Sequence, residues 1–453
     1  MSTKSNRNFR PAYHYTPPKG WINDPNGLTY ADGVWHLFAQ HYPNDAVWGP
    51  MHWIHAESRD LISWQDKGIA LYPDEKLGLI FSGSAVIDKG NSSGMGKDCD
   101  PMICMYTSHG KHEQQSIAFS CDRVHFTPYP GNPVIPNTNK PDFRDPKVFR
   151  NEILNCWSVA IAAGDHVEFY SSDNLIDWKK TGEFGAAENK LGGVFECPDL
   201  FALNAPDGSK VWILIASMAL PGEFGGSRTQ YFIGSFDGKT FTQTVETKRA
   251  LLIDSGYDNY ASVSFSGTDE NILLGWANSW VYADKEPTNE FCGAMTYARR
   301  VSLVDTDDGL RLAFSPITPE FAIGDAANSL PINGEVFKIH IDAKGAFMLA
   351  LKNDQGDMLR IGLDNEQRFV VDRTQSGMCS FSNLFHSGLM SVMLTPRLMH
   401  GSISMDIYFD HYIAEVFADN GTYANTTLAF PQAPYTTAEI IGNAKMCVGV
   451  PKV

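Results

Sequence analysis

The 453-residue chain has no apolar stretch that approaches the length of a membrane span, and its first ten residues are polar. A membrane-spanning helix needs about 20 consecutive apolar residues, and a secretory signal needs a shorter apolar run near the start. We therefore expect a protein that neither crosses a membrane nor is exported, and we predict a cytoplasmic location.

Positive charge is also scarce. Lys and Arg total 36 against 52 Asp and Glu, which gives a formal net charge of −16 at pH 7. This excess of negative charge repels phosphodiester backbones and anionic membrane surfaces. The composition therefore argues against nucleic acid and membranes as partners, and it leaves the oligomeric state open.

The eight cysteines are scattered singly through the chain, without a Cys-x-x-Cys pair. Cys99 and Cys104 lie close together, but no His follows them at zinc-finger spacing. His52 and His55 flank Trp53 and are interpreted as packed residues of an aromatic-rich strand. From these patterns we expect reduced thiols, no metal site and no cofactor.

A turn pattern recurs at intervals of roughly 60 residues, which suits the four-stranded blades of a β-propeller. The four copies are Ser58–Asp60 with Trp64, Ser120–Asp122 with Phe126, Ser171–Asp173 with Trp178, and Ser235–Asp237 with Phe241. An Asp in such a turn accepts a hydrogen bond from its own backbone two residues on, and the aromatic residue opens the next strand and packs on the neighbouring blade. A second series, Asp24, Ser82, Asp145 and Glu196, precedes these turns by roughly thirty positions, and with Asp258 as its fifth member it predicts five blades.

After the repeats the composition and patterning of the sequence change. Ser315–Pro319 has the composition of a linker, and the segments after it alternate apolar and polar residues between Gly, Asn and Asp turns. Such strands are typical of a β-sandwich. We therefore predict an all-β protein, a five-bladed β-propeller over residues 1–317 followed by a C-terminal β-sandwich over residues 318–453.

Three carboxylates stand in unusually marked settings. Asp24 lies within Trp21–Gly27, Asp145 within Phe143–Pro146, and Glu196 within Phe195–Asp199. Each setting alone is ordinary turn chemistry. Equivalent positions of successive blades meet at the central channel of a propeller, so these three acids are expected to converge. Together they indicate a glycosidase site.

In order and context these motifs resemble those of glycoside hydrolase family 32, the β-fructofuranosidases, which include invertases, inulinases, levanases and sucrose-6-phosphate hydrolases. Phe81–Ser84, Gly226–Gly234 and Glu415–Phe417 are similar to further motifs of the family. The resemblance covers nearly the whole chain, and the family fold is the one that the repeats predict.

The resemblance implies catalytic roles for the three acids. Asp24 would be the nucleophile that forms a covalent fructosyl-enzyme, and Glu196 the acid that protonates the leaving oxygen and then activates water. Asp145 would stabilise the transition state, and we expect it to stay ionised beside Arg144. A double displacement retains configuration and needs the two reacting carboxyl groups about 5 to 5.5 Å apart.

The resemblance also implies a sugar pocket. Matched to the family pattern, its substrate-binding residues are Asn23, Gln40, Trp48, Phe81, Ser82, Arg144, Cys197 and Trp276. Trp280 aligns with the pocket tryptophan of that blade as well as Trp276 does. Cys197 is expected to pack near the acid, and Trp21 and Trp53 are interpreted as hydrophobic support.

The expected activity is release of terminal β-D-fructofuranosyl residues from sucrose and short fructooligosaccharides by a retaining hydrolase of the invertase type. One alternative is a sucrose-6-phosphate hydrolase, in which Lys111, His112 and Arg228 would bind the phosphate. A second is a fructosyltransferase that uses the same covalent intermediate. Further alternatives are an arabinan-cleaving enzyme of the same architecture and a sugar-binding propeller without catalysis.

Overall fold

The computed structural model describes residues 7–220, 225–386 and 388–452, and almost all of its regular structure is β. Within those ranges, no helix combines the length and apolarity that a bilayer crossing requires. The predicted fold is confirmed: five antiparallel sheets form a propeller, and a larger sheet follows as a sandwich-like second unit.

The first three blades follow one another along the chain. Blade 1 contains β1 (Gly20–Ala31), β2 (Val34–Tyr42), β3 (His52–Ser58) and β4 (Trp64–Leu71). Blade 2 contains β5 (Leu79–Ile87), β6 (Met102–His109), β7 (Glu113–Ser120) and β8 (Thr127–Pro128). Blade 3 contains β9 (Phe143–Asn151), β10 (Cys156–Ala163), β11 (His166–Ser172) and β12 (Lys179–Phe184).

The last two blades complete the ring. Blade 4 contains β13 (Glu196–Asn204), β14 (Lys210–Ala219), β15 (Ser227–Phe236), β16 (Phe241–Gln243) and β17 (Leu251–Leu252). Blade 5 contains β18 (Tyr260–Ser264), β19 (Ile272–Trp276), β21 (Arg299–Thr306) and β22 (Gly309–Pro316), while β20 (Phe291–Cys292) pairs in parallel with β1. The innermost strands contact one another in a closed circle, in the order β1, β5, β9, β13 and β18. Pairing of β20 with β1 ties the late part of the propeller back to its first strand.

The second unit is one continuous sheet bent around a core. Its strands are β23 (Phe321–Ile323), β24 (Ser329–Pro331), β25 (Val336–Lys352), β26 (Met358–Leu363), β27 (Arg368–Gln375), β28 (Val392–Pro396), β29 (Ile403–Asp410), β30 (Ile413–Ala418), β31 (Tyr423–Leu428) and β32 (Thr437–Pro451). β25 pairs with β29 over its first half and with β26 over its second, and its pairing with β32 shifts between Ala343 and Phe347. Strand β25 therefore passes from one layer to the other. Short helices lie at Ala283–Lys285, Asn383–His386, Gly388–Met390 and Asp419–Gly421.

The repeated turn is formed as predicted in three blades. Asp60, Asp122 and Asp237 each accept hydrogen bonds from backbone N–H groups two and three residues on. In blade 3 the prediction was one residue out of register, because Asn174 and not Asp173 makes these bonds. An amide oxygen accepts the same bonds as a carboxylate, so a search for Asp alone misses it.

In blades 2 and 4 the aromatic residue after the turn packs against the preceding blade. The ring of Phe126 in blade 2 meets Phe38 of blade 1 edge-on, with centroids 5.3 Å apart. The ring of Phe241 in blade 4 meets Phe184 of blade 3 in the same way at 4.9 Å. These contacts fill the wedge between neighbouring sheets.

One expectation about the cysteines is wrong. Cys99, in the loop between β5 and β6, and Cys121, in the turn after β7, form a disulfide with Cα atoms 5.9 Å apart. The two are 22 positions apart in sequence, and only the hairpin of blade 2 brings them together. The other six cysteines, all among the described residues, form no disulfide.

Candidate active site

A cavity of about 250 Å³ lies at one end of the propeller channel. Its walls are formed by Asn23, Asp24, Gln40, Trp48, Phe81, Ser82, Arg144, Asp145, Glu196 and Trp280. The three marked carboxylates thus share one cavity, although up to 172 residues separate them in sequence. Six of the eight residues predicted to bind substrate lie in the same wall.

A shared backbone irregularity places these side chains. In every blade two residues of the innermost strand oppose a single residue of the next strand, which is the pattern of a β-bulge. The bulged pairs are Asn23–Asp24, Phe81–Ser82, Asp145–Pro146, Cys197–Pro198 and Ala261–Ser262. Because a bulge bends the strand and turns its side chains, each blade can direct a side chain into the channel at the same height.

Three of the bulges hold a residue in the left-handed backbone region. The φ angles are 62° at Asp145, 46° at Cys197 and 53° at Ala261. Non-glycine residues seldom adopt such angles, and strained backbone of this kind concentrates at functional sites. The surrounding sheet compensates at Asp145, whose backbone N–H donates to Thr107 Oγ1 at 2.9 Å.

Asp24 is held by one of its two carboxylate oxygens. Its Oδ2 accepts the hydroxyl of Ser82 at 2.7 Å and faces the thiol of Cys197 at 3.5 Å. Its Oδ1 is buried and has no hydrogen-bond partner within the part of the chain that the structure describes. An unpartnered buried oxygen is costly for folding, and Asp24 carries this oxygen in the wall of the cavity.

Glu196 has two donors, one on each oxygen. Arg144 donates to Oε1 at 3.1 Å, and the hydroxyl of Tyr260 donates to Oε2. Burial raises the pKa of Glu196, and the negative charge of Asp24 adds to this, while Arg144 and Tyr260 oppose it. A raised pKa favours the protonated form of this carboxyl group, which is the form that a general acid needs.

Asp145 departs from the expectation that it stays ionised. Burial raises its pKa to about 8, with Glu196 and Asp24 adding to the shift and Arg144 opposing it. The guanidinium of Arg144 makes its hydrogen bonds to Asp142, Glu113 and Glu196, not to Asp145. Three buried carboxyl groups beside one guanidinium cannot all be charged at low cost, so protons are retained among them.

Cys197 lies behind the cavity wall instead of lining it. Its Sγ is 3.5 Å from Asp24 Oδ2 and 3.7 Å from Asp145 Oδ2, and its backbone N–H donates to Asp145 Oδ2 at 2.9 Å. Burial raises the pKa of the thiol well above its usual value, so it is a neutral S–H group. It therefore holds two of the acids in place, and the structure does not bring it into the substrate cavity.

Trp276, which was predicted to line the cavity, likewise lies behind it. Trp280 lines the cavity instead. Trp276 is fully buried, with its ring 4.9 Å from Trp280 and 5.8 Å from Trp21. Trp21 and Trp53 are buried supports, as predicted: their indole N–H groups hold the Asn23 side chain and the backbone oxygen of Phe81. Trp276 and Trp280 are four residues apart, and both align with the pocket tryptophan of the family pattern.

Other departures concern Tyr260, Asp258 and the predicted phosphate site. Tyr260, which contacts Glu196, lies two residues after the marker Asp258 and was not predicted as a site residue. Asp258 binds the buried Arg373 of the second unit and does not enter the cavity. Among the described side chains that line the cavity, Lys111, His112 and Arg228 are absent, and Arg228 donates to the backbone oxygen of Gly256 at 2.6 Å.

Comparison with known proteins agrees with this geometry. Residues 14–316 match the glycosyl hydrolases family 32 N-terminal domain, and residues 321–447 match the family 32 C-terminal domain. A levanase from Bacillus subtilis is 38% identical over 95% of this chain and 68% of its own length. The crystal structure of an exo-inulinase from Aspergillus awamori superposes with a TM-score of 0.89 at 31% identity, covering 99% of both chains.

A fructofuranosidase from Schwanniomyces occidentalis, solved in complex with fructose, superposes with a TM-score of 0.88 at 27% identity, again over 99% of both chains. The two domain matches lie in the family's order and together span nearly the whole sequence. This chain therefore belongs to glycoside hydrolase family 32.

Proposed function

We propose that the protein is a retaining β-fructofuranosidase that releases terminal fructofuranosyl residues from sucrose and short fructooligosaccharides. One observation carries the proposal: Asp24, Asp145 and Glu196 share the wall of a single small cavity with polar and aromatic side chains. A pocket of about 250 Å³ lies below the usual range for drug-sized ligands. Its size favours capture of one terminal sugar unit.

Asp24 is the proposed nucleophile. Ser82 and Cys197 fix Oδ2, so the unpartnered Oδ1 is the oxygen available to attack the anomeric carbon. As the new C–O bond forms, the bond between the anomeric carbon and the leaving oxygen breaks. Positive charge develops on the ring during this step, and the negative charge of Asp24 stabilises it.

Glu196 is the proposed acid and base. Its raised pKa favours the protonated form, which can donate to the departing oxygen. After transfer the carboxylate remains beside Arg144 and Tyr260, whose hydrogen bonds stabilise the charged form. It then removes a proton from water, which attacks the anomeric carbon and releases Asp24, so that configuration is retained.

Asp145 and the remaining wall residues are proposed to hold the sugar. The carboxyl of Asp145 is fixed by the N–H of Cys197, and the buried Nε2 of Gln40 lacks a partner in the described residues. Groups of this kind match the paired hydroxyls of a furanose. Trp48, which is 48% exposed, and Trp280 offer apolar faces at the mouth.

The substrate preference is tested by measuring hydrolysis rates for sucrose, sucrose 6-phosphate, kestose, inulin and levan under one condition. We expect sucrose and kestose to be hydrolysed with fructose as the released sugar. A rate on sucrose 6-phosphate far above that on sucrose would favour the phosphate-specific alternative. Net synthesis of longer oligosaccharides at high sucrose would identify a fructosyltransferase, and hydrolysis of arabinan alone would overturn the proposal.

The cytoplasmic location stays a prediction, and the Cys99–Cys121 disulfide bears on it. Disulfides persist mainly in oxidising compartments and are rare in the cytosol. Alkylation of free thiols at the moment of cell lysis, followed by mass spectrometry, measures the state of this pair. A cytoplasmic protein is expected to show both cysteines alkylated.

A further inference from the structure

Blade 1 carries a cluster of potential metal ligands that the proposed mechanism does not use. His36 on β2 lies directly opposite Glu57 on β3, and His55 precedes Glu57 by two residues on the same strand. Residues two apart on a strand share one face of the sheet. Their ligand atoms, one from each residue, all lie within 4.8 Å of one another.

The spacing of these atoms suits a small divalent ion. His36 Nδ1 is 3.1 Å from His55 Nε2 and 3.8 Å from Glu57 Oε1. In a tetrahedral zinc site with bonds of about 2.0 to 2.2 Å, neighbouring ligand atoms lie roughly 3.3 to 3.5 Å apart. These two separations differ from the tetrahedral values by a few tenths of an ångström, and the third separation, between His55 and Glu57, is at most 4.8 Å.

The packing fixes the rings in position. Both imidazoles are buried, and the ring of His55 stacks on Phe38 with centroids 4.3 Å apart and an interplanar angle of 8°. His36 Nε2 is buried without a partner in the described part of the chain. Apolar side chains would fill this space without the cost of a buried unpaired nitrogen, so packing alone does not account for the cluster.

The neighbouring groups leave the three ligand atoms facing one another. The hydrogen bond between His36 Nδ1 and His55 Nε2 places one N–H proton between these nitrogens, and an ion bound to both would require that proton to move to the other nitrogen of its ring. Lys67 binds Glu57 Oε2 at 2.9 Å and leaves Oε1 directed at His36. The side chain of Glu57 is 21% exposed, which gives water access to a fourth position.

We propose that His36, His55 and Glu57 form a binding site for Zn²⁺ or a similar divalent transition metal, with water as the fourth ligand. The ion would cross-link β2 and β3, and β2 carries the cavity residue Gln40 at its other end. Its role would be to stabilise blade 1, not to take part in catalysis.

A second cluster in blade 3 serves as an internal comparison. His166, Glu168 and Glu183 also lie within ligand distance of one another. Both oxygens of Glu168, however, already accept hydrogen bonds from Lys140 and Lys180, at 2.6 and 2.7 Å. A metal would have to displace two ammonium groups there, so we expect no binding at this cluster.

The test is calorimetric titration of Zn²⁺ into the full-length protein after removal of metals with a chelator. We expect one site per chain and a higher melting temperature with Zn²⁺. His55→Gln and Glu57→Gln should each weaken binding at least about tenfold, since losing a direct ligand costs no less than losing a partner behind one. His166→Gln is the matched control and should bind like the wild type.

Lys67→Gln should change Zn²⁺ affinity in the opposite direction. Removing the ammonium group beside Glu57 should tighten Zn²⁺ binding, because a cation no longer competes for the carboxylate. Co²⁺ should give the visible absorption of a tetrahedral site in the wild type and not in His55→Gln. Absence of binding would overturn the proposal. Binding that His55→Gln and Glu57→Gln leave unchanged would also overturn it, because the metal would then be an adventitious ion only. If His55→Gln fails to fold, Glu57→Gln still tests whether the cluster binds the metal.

Discussion

Buried acids occur in two regions of this protein, and their surroundings differ. At the junction of propeller and sandwich, Glu415 accepts hydrogen bonds from Arg299, His14 and the backbone of Tyr297. In the cavity, by contrast, one oxygen of Asp24 has no partner in the described residues. The acids of both regions are largely buried, so the difference lies in the number of donors and in the balance of charge.

The pKa values follow this difference. At the junction burial is outweighed by cationic partners, which lower the pKa of Asp254, Asp410 and Glu415. In the cavity burial prevails and raises the pKa of Asp145 and Glu196. Acids whose oxygens are all paired stabilise the fold, whereas acids with too few hydrogen-bond donors can take part in a reaction. The comparison therefore predicts opposite results for substitutions in the two regions.

The largest expected effect is on activity. Asp24→Asn should lower kcat by a factor of about 10⁴ or more, because an amide oxygen cannot form the covalent intermediate. Its melting temperature should stay near that of the wild type, since Asn can still accept the Ser82 hydroxyl. Steady-state kinetics with sucrose and thermal melts measure both. Substantial residual activity would contradict the nucleophile assignment.

Replacing the acid should give a smaller loss that depends on the leaving group. Glu196→Gln should reduce sucrose hydrolysis by about 10² to 10⁴, the usual contribution of general acid catalysis. A fructoside with a nitrophenol leaving group should lose less in its first step, because that group departs without a proton. Equal losses on the two substrates would argue against Glu196 as the acid.

At the junction the expected effect is on stability alone. Arg373→Met leaves the buried Asp258 without its cationic partner and should cost about 3 to 5 kcal/mol in the free energy of unfolding. The kcat of the folded variant should be unchanged. Arg300→Met is the control, because its pair with Glu270 is half exposed and such pairs contribute about 0 to 1 kcal/mol. Denaturant unfolding measures both variants.

His14 should make the junction sensitive to alkaline pH. Hydrogen bonds and charge from Asp410 and Glu415 outweigh burial and raise its pKa to about 9. Because the folded-state pKa lies above the unfolded value of about 6.5, the stabilisation is complete below pH 6.5 and is lost as pH rises through 9. His14→Gln should flatten this dependence, as urea unfolding at several pH values would show. An unchanged slope in the variant would contradict the assignment.

The smallest expected effect is a shift in the activity profile. The Tyr260 hydroxyl lowers the pKa of Glu196 by donating to it. Tyr260→Phe should therefore raise that pKa and move the alkaline limb of kcat/KM to higher pH by roughly one unit or less. Tyr257→Phe is a nearby control and should leave the limb in place. A limb that does not move would show that Tyr260 only supports the fold.

The all-β class, the five blades and the three marked acids could be predicted from the sequence alone. These are local signals: a turn residue bonds its own backbone, and a repeat of roughly 60 residues reports one blade. The motif residues around Asp24, Asp145 and Glu196 were found for the same reason, because a bulge with its own local composition includes or directly follows each acid. A resemblance to the family then gave most of the cavity wall.

Features that depend on distant contacts could be read only from the folded protein. It chose Trp280 over Trp276, brought Tyr260 to Glu196, directed Arg144 to Glu196 instead of Asp145, and joined Cys99 to Cys121. Each of these depends on how one blade or loop lies against another, which no local pattern encodes. The pKa of Asp145 is decided in the same way, because burial and neighbouring charge exist only once the blades have closed into a ring.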